Sequence, residues 1–92
     1  MDDATIRRYL SESRLIVLDI VHGGGARDGD DVARVWAERR TALTSAHMRR
    51  LPRVAGQILW QLASMQWIER SDGEWAVTGR GLHARDLASA LV

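Results

Sequence analysis

Apolar residues recur at helical spacing from 52 to 66, at strand spacing from 67 to 78, and at helical spacing again beyond Thr78. At 100° per residue, Val54, Ala55, Ile58, Leu59, Leu62 and Met65 fall on one side of the first segment. Arg53, Gly56, Gln57, Trp60 and Ser64 fall on the other, with Gln61 at its margin. The first set is expected to pack on a core and the second to meet solvent or a partner. Next comes Trp67-Ile68-Glu69-Arg70-Ser71, then Asp72-Gly73, then Glu74-Trp75-Ala76-Val77-Thr78. Asp-Gly between alternating segments favours a two-residue type I′ turn, because glycine and aspartate tolerate the positive φ it needs. Counting outward pairs Ser71 with Glu74, Arg70 with Trp75, Glu69 with Ala76, Ile68 with Val77 and Trp67 with Thr78. Ile68, Val77, Arg70 and Trp75 then share one face, with the first two in the core and Arg70 stacked on Trp75. In the last segment, Ala84, Leu87, Ala88 and Leu91 form a stripe that either closes over the first helix or makes a dimer seam.

The first half of the chain is also patterned as helix. Residues 4–22 read as helical, with Ser11 or Ser13 placed to cap a second segment. Leu15, Ile16, Val17, Leu18, Ile20 and Val21 cover nearly every side, as in a buried central helix. Gly23-Gly24-Gly25 ends it and reads as a flexible connector. A phosphate-cradling role is not expected there, since no strand precedes the glycines and no Gly-Lys-Ser/Thr follows. Asp30 or Asp31 is expected to cap the next helix, with Val32, Val35 and Trp36 turned inward. Thr44 is expected to cap a short piece at 45–50. Leu51 precedes a proline and is biased away from helical geometry. Pro52 suits a first helical turn, where its missing N–H costs nothing. A break at Leu51 is therefore expected.

The chain of 92 residues fits one domain, with residues 1–13 a dimerisation or capping helix. Hydrophobic content of 46% and charged content of 27% exclude a disordered chain. The longest apolar run, Leu15 to Leu18, is too short to span a membrane, and the acidic N-terminus has no signal-peptide pattern. Without cysteine there is neither a disulfide framework nor a thiolate metal site, and a reducing cytoplasm is expected. A domain of this size has a thin core, so pairing with a second copy is a natural remedy.

Net charge is only +1, but it is sorted. Between 34 and 53 lie Arg34, Arg39, Arg40, Arg49, Arg50 and Arg53, with Glu38 the only acid among them. The acids gather near the N-terminus and around Asp28, Asp30 and Asp31. Such sorting can make a polyanion-facing surface on a nearly neutral protein. Lysine is absent altogether, so arginine identity carries little weight and only arginine position counts.

These residues resemble the winged helix-turn-helix superfamily, in the style of small prokaryotic and phage regulators. The resemblance rests on Leu59-x-x-Leu62 leading into Trp67-Ile68-Glu69-Arg70, then Asp72-Gly73, then Val77-Thr78-Gly79-Arg80-Gly81-Leu82. It covers roughly residues 14 to 85. Gln66 stands where the family often has glycine, and the stretch 41–51 is longer than a usual helix-turn-helix turn. The resemblance implies an α+β, mainly α fold of three to five helices with a two-stranded wing and a final helix. It implies a DNA-binding regulator, a dimer, with residues 52–66 as the recognition helix and 70–75 as the wing. Arg53, Gln57, Trp60, Gln61 and Ser64 would face the groove, since arginine matches guanine edges and glutamine adenine edges. Arg49, Arg50 and Arg70 would hold the backbone.

Two classes of function compete. One is double-stranded DNA binding by promoter occupancy, with two copies on half-sites about one helical turn apart. The other is a protein–protein module centred on Trp60. A tryptophan amid a polar helix face stacks on nucleic acid, anchors a protein interface, or packs under 41–51. Trp36, Trp67 and Trp75 are expected to be packing residues. His22, His47 and His83 lie at no ligand spacing, so no metal is expected. Asp19 and His22 neighbour each other without an activated nucleophile, and Asp19 reads as a helix polar edge or as a buried salt bridge to a residue such as an arginine. Neither enzymatic activity nor a cofactor is expected.

Overall fold

The computed structural model describes residues 2–39 and 44–90. The fold is α+β and mainly α. Among the described residues, five helices, α1 (Asp3–Tyr9), α2 (Glu12–His22), α3 (Gly29–Arg39), α4 (Ser45–Ser64) and α5 (Gly79–Ala90), accompany one antiparallel hairpin, β1 (Ile68–Ser71) and β2 (Glu74–Val77). Among the described residues no helix is long and apolar enough to cross a membrane.

Helix α2 is the centre. Val17 and Leu18 are fully buried, Ile20 and Val21 nearly so, and α3, α4, α5 and β2 all pack on it. It begins where Ser11 accepts the Arg14 amide at 3.2 Å, and Leu10 and Ser11 take extended geometry. The helical stretch 4–22 is therefore two helices. Ile6 of the short α1 is buried, and α1 packs on α5.

The glycine triplet does more than connect. Gly24 and Gly25 adopt φ of 86° and 84°, a left-handed reversal open to glycine. The reversal delivers Ala26, 3% exposed, to the edge of β2, where its carbonyl accepts the Trp75 amide at 2.8 Å. One backbone rung thus ties the α2–α3 connection to the hairpin.

Helix α3 is capped one position before its first residue, and not by Asp30 or Asp31. Asp28 accepts the Asp31 amide at 3.0 Å. Asp31 turns inward instead, 7% exposed, and accepts both the Arg27 amide and its Nε at 3.0 Å. The early start puts Gly29 against α4. A Cβ there would come within 2.7 Å of the Pro52 carbonyl and 3.0 Å of the Gly56 amide. Val32 and Trp36 are buried as expected, and Val35 is half-buried.

The expected break at Leu51 does not occur. Thr44 accepts the His47 amide at 3.2 Å and caps α4, which then runs unbroken through Pro52 to Ser64. The expected helices 45–50 and 52–66 are one. Leu51 is 7% exposed, and burying a leucine is worth about 1.5–3 kcal/mol. Packing therefore competes well with the local bias of a pre-proline residue. Pro52 still leaves the Met48 carbonyl without its usual amide donor. Replacing Pro52 by alanine should restore that bond and stabilise the domain by about 1 kcal/mol or more. A rise in melting temperature checks this, and a fall would mean that the ring itself seats α3.

At its other end α4 closes with a left-handed cap. Gln66 has φ of 63°, its amide bonds the Ala63 carbonyl, and the Trp67 amide reaches the Leu62 carbonyl, both at 3.0 Å. Glutamine performs here what glycine does more easily. The hairpin register agrees with the sequence reading at every pair, Ile68–Val77, Glu69–Ala76, Arg70–Trp75 and Ser71–Glu74. Asp72 and Gly73 both have positive φ, as a type I′ turn needs. The Thr78 amide donates to the Trp67 carbonyl at 2.9 Å and extends the ladder to its base. Thr78 then accepts the Gly81 amide and starts α5, which lays Ala84, fully buried, with Leu87 and Ala88 half-buried. The C-terminal end of this stripe, Leu91, lies outside the described residues.

Candidate nucleic-acid interface

The continuity of α4 decides which side chains stand together. On one helix, Arg49, Arg50, Arg53, Gln57, Trp60 and Ser64 fall within about 100° of its circumference. All six are exposed. Arg49 to Ser64 spans roughly 22 Å at 1.5 Å per residue, about two-thirds of a DNA helical turn. Ala55, Ile58, Leu59 and Leu62 hold the opposite side in the core. Val54, expected with them, is 37% exposed, because it lies at the edge of the apolar arc.

Two members of the expected polar face are otherwise engaged. Gln61 is half-buried, and its amide oxygen accepts Arg14 Nε at 3.2 Å from the start of α2. Its side chain is thus turned to the flank of α4. Gly56 belongs to the close approach of α3. Ser64 remains exposed, but its hydroxyl donates to the Trp60 carbonyl at 2.9 Å.

Trp60 is 72% exposed, the most open of the large apolar side chains among the described residues. It does not pack beneath the stretch before it, which removes the third of its expected roles. Trp36 and Trp67 are buried and Trp75 is half-buried, in line with packing roles. At the hairpin tip, the Arg70 guanidinium lies 4.5 Å from the Trp75 ring centroid and donates to the Gly73 carbonyl at 3.0 Å. Arg70 is exposed beside this turn.

The arginine-rich stretch does not act as one surface. Arg34 pairs with Asp31 at 3.5 Å and Arg39 with Asp19 at 3.0 Å. Arg40 lies outside the described residues. Arg49, Arg50 and Arg53 make no ion pair among the described residues, so their charge is left for solvent or a partner. Asp31 and Asp19 thus engage Arg34 and Arg39, and the three arginines on α4 make no ion pair among the described residues.

Asp31 and Asp19 each face two arginines. Hydrogen bonding from the Arg27 side chain, and then from its amide, holds Asp31 below the usual carboxylate range. Arg85, and then Arg39, do the same for Asp19 against the partial burial that works the other way. A depressed folded-state value means stability that is present above the unfolded value and lost as pH falls through the folded one. Asp31→Asn should therefore be less stable than the wild type at pH 7. That gap should narrow as pH falls below the ordinary 3.8, which denaturant unfolding at stepped pH would measure.

Among the described residues no group of three His, Asp or Glu side chains gathers as a metal set. His83 faces Asp3 at 2.9 Å, and Asp19 faces Arg39 at 3.0 Å and Arg85 at 2.7 Å. Sequence reasoning missed the Gly29–Gly56 approach, the inward Asp31 and the Ala26 rung. The first and the last depend on residues distant in the chain, whereas Asp31 is held by Arg27 and Arg34 within four positions of itself. No family model, curated protein or solved structure matches this chain.

Proposed function

We propose that this protein is a winged-helix DNA-binding regulator whose α4 enters the major groove and whose hairpin is the wing. The observation that carries the reading is the exposed, unneutralised stripe of Arg49, Arg50, Arg53 and Gln57 on one face of α4. Phosphates would be held by Arg49 and Arg50, which position the helix without reading sequence. Arg53 and Gln57 would address base edges, where paired donor and acceptor atoms discriminate. Arg70 would touch the backbone from the wing. The hairpin suits that task because β2 is tied to both β1 and Ala26, so its tip projects from an anchored base. Regulation would follow from occupancy of a promoter by a homodimer, in a cytoplasmic setting.

The exposed indole of Trp60 favours a second reading, a module that binds another protein. Titrating the isotope-labelled protein with a random duplex separates the two. Under the DNA reading the resonances of Arg49, Arg53, Gln57 and Arg70 shift together. Perturbation confined to α1 and α5, or none at all, would leave the protein module as the better account. Trp60→Ala should leave stability intact in either case, since so exposed a ring contributes little burial.

A further inference from the structure

A pocket of about 350 Å³ opens between α2, α3 and α5, and no residue of α4 or the hairpin lines it. Apart from Ser89 of α5, its uncharged walls are apolar. Leu15 and Ile16 come from α2, the Trp36 indole from α3 and Ala88 from α5. Its charged rim is Asp19 flanked by two guanidinium groups. Arg85 donates to one carboxylate oxygen at 2.7 Å and Arg39 to the other at 3.0 Å. Each guanidinium spends one nitrogen on Asp19, and each has five N–H donors in a planar fork. Two cations against one anion leave the rim with a positive charge and unused donors that suit a planar carboxylate.

We propose that this pocket binds a small carboxylate with an aromatic or short aliphatic body. The body lies on Trp36 and the leucine, isoleucine and alanine walls, and the carboxylate settles beside Asp19 on the free N–H groups of Arg39 and Arg85. The volume is at the lower end of the range for small-molecule clefts and suits a single ring. Such a ligand touches the central α2 and two helices packed on it, α3 and α5, and it does so away from the stripe on α4.

Benzoate, benzyl alcohol and benzylamine serve as probes that share a ring and differ in charge. The Trp36 indole N–H resonance of the full chain, identified by its loss in Trp36→Phe, reports occupancy. Benzoate should shift it saturably. Benzyl alcohol should bind about tenfold more weakly or worse, and benzylamine not at all, because a charged hydrogen bond is worth about 1.5–3 kcal/mol. Arg85→Gln should weaken benzoate by about tenfold. Ala88→Leu fills the cavity without touching the ion pairs and should abolish the shift. The proposal fails if benzoate gives no saturable shift at millimolar concentration, if the amine binds as well as the acid, or if Ala88→Leu binds like the wild type.

Discussion

Replacing Gly81 by alanine should cost about 3 kcal/mol or more and lower the melting temperature by roughly 15 °C. Gly81 is buried in the first turn of α5, facing the base of the hairpin. A Cβ built there runs into the Trp67 carbonyl and lies 2.6 Å from Val77 Cγ1. The first obstacle is backbone and cannot rotate away. The same Trp67 carbonyl accepts the Thr78 amide at 2.9 Å, so moving it opens the hairpin where it joins α5. Against a total stability of about 5–15 kcal/mol, the loss is large. Gly56 gives the contrast. A Cβ there meets nothing within 4 Å outside its own helix, so Gly56→Ala should gain about 0.5–1 kcal/mol of helix propensity. Thermal unfolding of the pair would show one substitution acting in opposite directions. A Gly81→Ala domain as stable as the wild type would mean that α5 does not sit so close to Trp67.

The second large effect concerns binding. Arg49, Arg50 and Arg53 replaced together by alanine should reduce duplex affinity by about a hundredfold or more, at three charged hydrogen-bonding groups of about 1.5–3 kcal/mol each at most. The slope of log affinity against log salt should fall by roughly two, one for each phosphate that Arg49 and Arg50 no longer neutralise. Stability should change by less than about 0.5 kcal/mol, because these side chains are exposed and make no ion pair among the described residues. Arg53→Ala alone should act in the same direction and less strongly. Were Arg53→Ala to unfold the domain, the assigned outer face of α4 would be wrong.

What the sequence made legible was local. The Asp72-Gly73 turn set the hairpin register because a two-residue turn leaves one way to count. The caps Ser11 and Thr44 act within three residues of themselves, so their chemistry could be read in place. The stripe of Arg53, Gln57 and Trp60 followed from helix period alone. What failed was set by packing between distant parts of the chain. Leu51 prefers extended geometry before a proline, yet its side chain is buried and α4 passes through. Asp28 caps α3, and Gly29 behind it lies against Pro52 and Gly56, an approach invisible from positions 28 to 31. Gln61 sits on the margin of the polar face, and only Arg14, far away in sequence, decides where its amide turns. The pocket at Asp19 has the same origin. An arginine partner for Asp19 was foreseeable, but the convergence of Arg39 and Arg85 upon it needed the fold.

The central claim is that the α4 stripe neutralises phosphate. Fluorescence-anisotropy titration with a random duplex pool at low and moderate salt measures this most directly. The account predicts binding at low salt that weakens steeply and log-linearly as salt rises, with a slope reflecting several neutralised phosphates. Absence of binding at low salt, or binding indifferent to salt, would contradict it and turn attention to a protein partner at Trp60.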